Sequence, residues 1–292
     1  MSIPFYIVDV FAEERFAGNQ LAVFRGNPAP EIMQKLAVEM NYSEITFITS
    51  DQPHNGGYDV RIFMPTKEVP FAGHPTLGTA YIIQRELMGQ PTWQVVLNLG
   101  VGQIPVKFGD DEVLWMQQRP PQFGHVYTAA QAAEVLRLSE SDIDTRFPVQ
   151  EVTTGLPFII TPLKTLAAVK RARIDTDKLR ALIAGVQGLN AEAMLLFCPE
   201  VEQSGNHLHV RVPEDAAGLR EDPATGSANG CLAGYLVKHG YFGNEAIDVR
   251  VEQGYEIGRP SLLLLRASQK ADTIEVNVGG RVVMVARGEL SE

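Results

Sequence analysis

Two seven-residue stretches, His74 to Ala80 (HPTLGTA) and Asp222 to Ala228 (DPATGSA), align without a gap 148 residues apart (222 − 74) in this 292-residue chain. One motif used twice at such a distance is expected to build two equivalent domains, each folded around its own copy. Each copy opens with a polar titratable residue, continues with proline and small residues, and leads into an expected helix, Tyr81–Met88 in the first and Cys231–Lys238 in the second. Proline at a first helical position costs no hydrogen bond, because the first amides of a helix have no internal acceptor. Those amides and the positive end of the helix dipole suit an anion. Two such helix starts facing each other across a cleft would hold a small carboxylate-bearing ligand.

The repeat extends beyond the motif. Val60-Arg61-Ile62 precedes the first copy as Val210-Arg211-Val212 precedes the second, at an offset of 150 (210 − 60). Asn41–Thr49 likewise matches Asn190–Cys198 at an offset of 149 (190 − 41), which puts an apolar strand at the same point of each half. Three matches in one order at nearly one offset indicate internal duplication.

Composition narrows the partners. The chain has 45% hydrophobic and 21% charged residues, an ordinary globular balance, with enough length for two cores. Its 35 acidic and 25 basic residues give a net charge of −10, which argues against nucleic acid and anionic membrane as partners. Met1–Phe16 lacks the basic start and long apolar core of a signal peptide, and no apolar run approaches the ~20 residues of a membrane span, so a cytoplasmic protein is expected. Cys198 and Cys231 fit no disulfide framework, and the histidines show no metal-ligand spacing. Both cysteines read as small buried hydrophobes, and no metal site is expected.

Alternating apolar residues and turn signals give strand after strand in both halves, with few helices. Helices are expected at Pro30–Met40, with Ile32, Met33, Leu36, Ala37 and Met40 on one stripe, and at Ala129–Leu136 and Asp175–Ala184. The expected class is α+β: two pseudo-symmetric domains, each a curved, mostly antiparallel sheet rolled around a central helix. Arg119–Gly124, with two prolines and a glycine, is the candidate linker, and Arg146–Pro148 the alternative. The domains expected from the first are 1–121 and 122–280, with 281–292 able to return to the first.

Five stretches occur in order along almost the whole chain: GNQLAV at Gly18–Val23, SEITF at Ser43–Phe47, RIFMP at Arg61–Pro65, PFAGHPT at Pro70–Thr76 and EDPATGSA at Glu221–Ala228. In this the chain resembles the phenazine biosynthesis isomerase (PhzF-like) family. The resemblance implies a diaminopimelate epimerase-like fold with the active site in the cleft. It also implies cofactor-independent isomerisation, in which one glutamate moves a proton between carbons of a small unsaturated carboxylic acid, and a homodimer. The family pattern gives substrate binding or catalytic support to the positions of His74, Asp222 and Ser227.

Glu44 stands after Asn41-Tyr42-Ser43 and directly before an apolar strand, at an element end where cleft residues are often presented. Under the repeat its counterpart is Ala193, which cannot titrate, so a single base is expected. One carboxylate can move a proton along one face of a substrate if it reaches both carbons. Spacing alone also allows an exposed glutamate at a loop-to-strand junction; the resemblance favours the catalytic role. His74 reads either as a residue ending a loop or as a neutral hydrogen-bonding group at a helix start. Asp222 reads either as a helix N-cap or as a carboxylate pairing with a ligand amino group. Gly73 and Gly226 allow close backbone approach, or serve only tight turns, while Ser227 adds a hydroxyl. A thiol racemase would need cysteines where His74 and Asp222 stand. The other readings left open are an epimerase with non-thiol bases and a non-catalytic protein that binds small acids.

Overall fold

The structure is a computed structural model that describes residues 3–109, 111–191, 193–213, 217–218 and 220–290. Met1 and Ser2 of the amino-terminal reading, Glu192 in the second apolar stretch, and Ser291 and Glu292 of the returning segment lie outside the described residues. The chain forms two compact units, residues 1–116 with 279–292, and residues 117–278.

The first unit runs β1 (Ile3–Val10), β2 (Asn19–Arg25), α1 (Pro30–Met40), β3 (Ile45–Ile48), β4 (Tyr58–Phe63), β5 (Glu68–Val69) and α2 (Gly73–Ile82). A π-helical turn at Ile83–Met88 continues α2, followed by β6 (Gln94–Leu99), β7 (Gly102–Phe108) and β8 (Leu114–Gln117). The second unit runs β9 (Gln122–Tyr127), α3 (Ala129–Leu136), β10 (Val149–Thr153), β11 (Pro157–Pro162), α4 (Leu166–Arg171), α5 (Thr176–Ala184), β12 (Ala193–Cys198) and β13 (Leu208–Arg211). It continues with α6 (Gly226–Lys238), β14 (Ala246–Gln253), β15 (Ser261–Lys270) and β16 (Thr273–Gly280), before β17 (Val282–Leu290) returns to the first unit.

Duplication is visible in the ladders of each unit. In the first, β1 pairs antiparallel with β2, β2 parallel with β3, β3 antiparallel with β4, β4 parallel with β6 and β6 antiparallel with β7. The second repeats that order through β10, β11, β12, β13, β14 and β15. The strand beside the first of each series also corresponds, antiparallel β17 on β1 and antiparallel β9 on β10.

Each series wraps a central helix. Nine of the ten residues of α2 and twelve of the thirteen of α6 are buried, as a helix enclosed by sheet requires. Close approach explains the small residues: a Cβ on Gly78 would sit 2.6 Å from Leu21 Cδ2 and 2.9 Å from Val10 Cγ2. The outer sheet faces carry the amphipathic helices. Met33 and Ala37 of α1 join Phe24, Phe47 and Phe63 in one cluster, with Phe24 and Phe47 stacked at 5.0 Å. The buried stripe of α1 is narrower than expected, because Ile32 is 42% exposed. In the second unit α3, α4 and α5 bury Ala132, Val135, Ala168, Val169 and Leu179 against Met194 and Leu196 of β12.

Both motif helices differ from expectation. The first begins inside the motif at Gly73, so Pro75 is its third residue, still in the first turn where no amide partner is lost. The second begins only at Gly226, with Thr225 as N-cap and Pro223 outside the helix. Among the described residues no helix is long and apolar enough to cross a membrane.

Candidate active site

The first group of candidate residues is assembled by β2, β3 and α2. Asn41 ends α1 in the left-handed conformation at φ 51°, which asparagine tolerates. The chain then turns through Tyr42 and Ser43 and enters β3, whose four residues are all buried. Glu44 is thus the last residue before a strand held between β2 and β4. The parallel register pairs Ala22 with Ile45, which brings Glu44 level with Leu21, one residue from Gln20.

Gly73 and His74 are the first two residues of α2. The His74 ring is buried, and that burial pushes its pKa down to about 3, against a hydrogen bond to the Gln20 backbone that acts upward. Its Nε2 has no hydrogen-bond partner among the described residues, so the Gln20 bond belongs to Nδ1 and the neutral ring carries its lone pair on Nε2. Glu44 Oε2 lies 3.7 Å from that nitrogen. The ring is uncharged, so the contact is not an ion pair, and it is too long for a hydrogen bond. A proton donor brought between the two, or a proton carried by Glu44, would find an acceptor there.

The second group surrounds the start of α6. Gly226 and Ser227 are its first two residues, and Ser227 is buried. Asp222 is not the N-cap; it lies three residues before Thr225, and its Oδ2 accepts a 2.6 Å hydrogen bond from the Thr225 hydroxyl. Gln253, at the end of β14, and Asn229 complete a network around this loop. Neither Gln253 nor Asn229 stands out in the sequence, because their contacts to Thr225 span 28 and four residues and leave no local pattern.

Behind this loop lies a buried ionic cluster. His209 Nε2 is 2.9 Å from Glu256 Oε1, and its Nδ1 also meets a carboxylate. Arg211 is paired bidentately with Glu221, at 2.9 and 2.7 Å. Ala193, the counterpart of Glu44, is buried and apolar. Burial pushes both the Cys198 and the Cys231 thiol up to about 12, which leaves neither as a ready thiolate base.

Comparison with known proteins agrees with this architecture. The sequence profile of the phenazine biosynthesis-like protein family matches residues 8–288. The chain is 33% identical over 296 residues to a trans-2,3-dihydro-3-hydroxyanthranilate isomerase of Pseudomonas fluorescens, covering 98% of each chain. It is 32% identical over 298 residues to a protein of Clostridium acetobutylicum named as an uncharacterized isomerase, covering 98% of this chain and 97% of the relative. A solved PhzF-family structure from Bacillus anthracis superposes with a TM-score of 0.90 at 22% identity, over 100% of both chains, which shows the fold. A family match across nearly the whole chain, with isomerases among such relatives, makes this protein an isomerase that belongs to the phenazine biosynthesis-like (PhzF) family.

Proposed function

We propose that this isomerase moves a proton, without a cofactor, between two carbons of a small unsaturated amino or hydroxy carboxylic acid. Glu44 is the general acid and base, and Gly73, His74, Asp222, Gly226 and Ser227 hold the ligand. The Glu44 carboxylate takes a proton from one carbon, the C–H electron pair shifts through the neighbouring double bond, and protonated Glu44 returns the proton at the far carbon. No atom or electron is gained or lost. Helix-start amides receive the substrate carboxylate, and Asp222 meets an amino group.

The observation that carries this reading is the 3.7 Å approach of Glu44 to the bare Nε2 of a histidine whose pKa burial holds at about 3. Burial keeps that ring uncharged, so it stands beside the carboxylate as a neutral group. The relatives' substrate, trans-2,3-dihydro-3-hydroxyanthranilate, is the first compound to try. Incubation of that compound, labelled with deuterium at the carbon that loses its proton and followed by NMR, is expected to show the double bond relocated and the label carried to the far carbon. Exchange with solvent at one stereocentre with the double bond unmoved would replace this reading with an epimerase, and binding with both label and double bond unmoved would make it a small-acid binder. The working unit is a cytoplasmic homodimer, checked by light scattering and cell fractionation.

A further inference from the structure

Gln253 closes β14 and spends its whole amide on one loop. Its Nε2 donates to the Asp222 carbonyl at 2.9 Å and to Thr225 Oγ1 at 3.1 Å. Its Oε1 accepts from the Thr225 N–H at 3.2 Å and from Asn229 Nδ2 at 2.9 Å. Turning the amide over would set oxygen against a carbonyl and nitrogen against two donors, so its orientation is fixed by its partners. The Thr225 hydroxyl then has one course. It accepts from Gln253 Nε2 and donates its single proton to Asp222 Oδ2, 2.6 Å away. Gln253 and Asn229 are fully buried, where such chained hydrogen bonds reinforce one another. The neighbouring Glu221 carboxylate is already taken up by Arg211.

The duplication supplies an internal control. At the motif offset Thr225 corresponds to Leu77 (225 − 148). Val210, opposite Gln253 in the β13–β14 ladder, corresponds to Val60; continuing the β4–β6 register by one residue beyond Asp59–Asn98 sets Val60 opposite Leu99. Leu77 and Leu99 are buried. The same framework therefore stands with leucine at both places, and the fold by itself does not call for the polar pair.

We infer that Gln253 and Thr225 are positioning residues that orient the Asp222 carboxylate and keep it charged through a directed hydrogen-bond relay. The inference rests on the reading in which Asp222 meets the substrate. The relay itself is tested on ligand-free protein, so its failure and that of the isomerisation reading are separate results. The Asp222 side-chain carboxyl resonance is followed by NMR through an acid titration in wild type, Thr225→Val, Thr225→Ser, Gln253→Leu and the Thr225→Val/Gln253→Leu double variant. Thr225→Val is expected to move the titration midpoint up by about one pH unit, since a lost hydrogen bond to a charged group favours the neutral acid. Thr225→Ser restores it. Gln253→Leu moves it in the same direction although Gln253 does not touch the carboxylate, and the double variant moves no further than Thr225→Val alone. A midpoint unchanged in Thr225→Val, or shifts that add in the double variant, would overturn the relay. The threonine variants decide the matter even if Gln253→Leu does not fold.

Discussion

His209 Nδ1 lies 2.7 Å from Glu252 Oε1 in a setting with no exposed surface on either side chain. With Glu256 on its other nitrogen, the ring has a carboxylate at both ends, an arrangement that calls for two N–H donors and hence an imidazolium. Burial works against that charge, but the hydrogen bonds to Glu252 and Glu256 outweigh it and raise the pKa to about 9. Glu252 accepts in addition from the Glu202 and Gln203 amides and from Asn206.

Two histidines with opposite shifts predict a stability maximum near pH 6.5. His209, raised to about 9, contributes stability that is complete below the unfolded value of 6.5 and is lost as pH rises toward 9. His74, lowered to about 3, stays neutral while the unfolded ring takes up a proton, so it lowers stability as pH falls from 6.5. Each slope approaches ~1.4 kcal/mol per pH unit. Melting curves from pH 5 to 9.5 check this: His209→Gln should flatten the alkaline side and His74→Gln the acid side. Parallel curves for wild type and His209→Gln above pH 7 would refute the imidazolium.

Glu44→Gln keeps the shape of the side chain and removes the proton carrier. Turnover is expected to fall ~10²- to 10⁴-fold or more, with the melting temperature little changed. A variant that keeps over about a tenth of the wild-type kcat, far short of that loss, excludes Glu44 as the base.

Gly78→Ala pits two effects against each other. Alanine gains up to ~1 kcal/mol of helix propensity over glycine, but its Cβ meets Leu21 and Val10 at 2.6 and 2.9 Å. Overpacking of this kind costs ~1–3 kcal/mol, so a net loss in denaturant midpoint is expected. A more stable variant would mean that the β1 and β2 side chains give way freely.

Thiol chemistry separates this site from one built on cysteines. Cys198 and Cys231 are both buried, so an aromatic disulfide reagent should release no chromophore until the protein unfolds, and activity should survive. Stoichiometric labelling of native protein together with loss of activity would return the thiols to the mechanism.

Local signals carried the amphipathic elements. The sequence reading of α1 and α3 agrees with the structure to the residue, because proline at the start of α1, a Thr128–Gln131 capping box and apolar periodicity act within a few positions. The central helices resisted the same reasoning. Gly73–Ala80 has no amphipathic period, being buried almost all round, and its glycines and threonines are poor helix formers, so only packing reveals it as helix. Glu44 could be placed before a strand from spacing, but its 3.7 Å approach to His74 of α2 is a tertiary contact that no local pattern carries. The neutrality expected of His74 from the helix dipole comes mainly from burial, a tertiary property. Asp222 suggested an N-cap because aspartate favours that position; Gln253, brought in from β14, instead holds the loop extended until Thr225.

The pairing of β17 with β1 makes the second unit an insertion within the first. On the ribosome, residues 117–278 all emerge before the strand that covers β1, so the earlier unit must wait with an open edge while the later one can close. A message cut short before Val282 would yield a polypeptide carrying Glu44, His74, Asp222 and Ser227, yet with the backbone of Ile3–Val10 bare along one side. Such a fragment would be lost to strand-to-strand aggregation rather than to any defect in its chemistry.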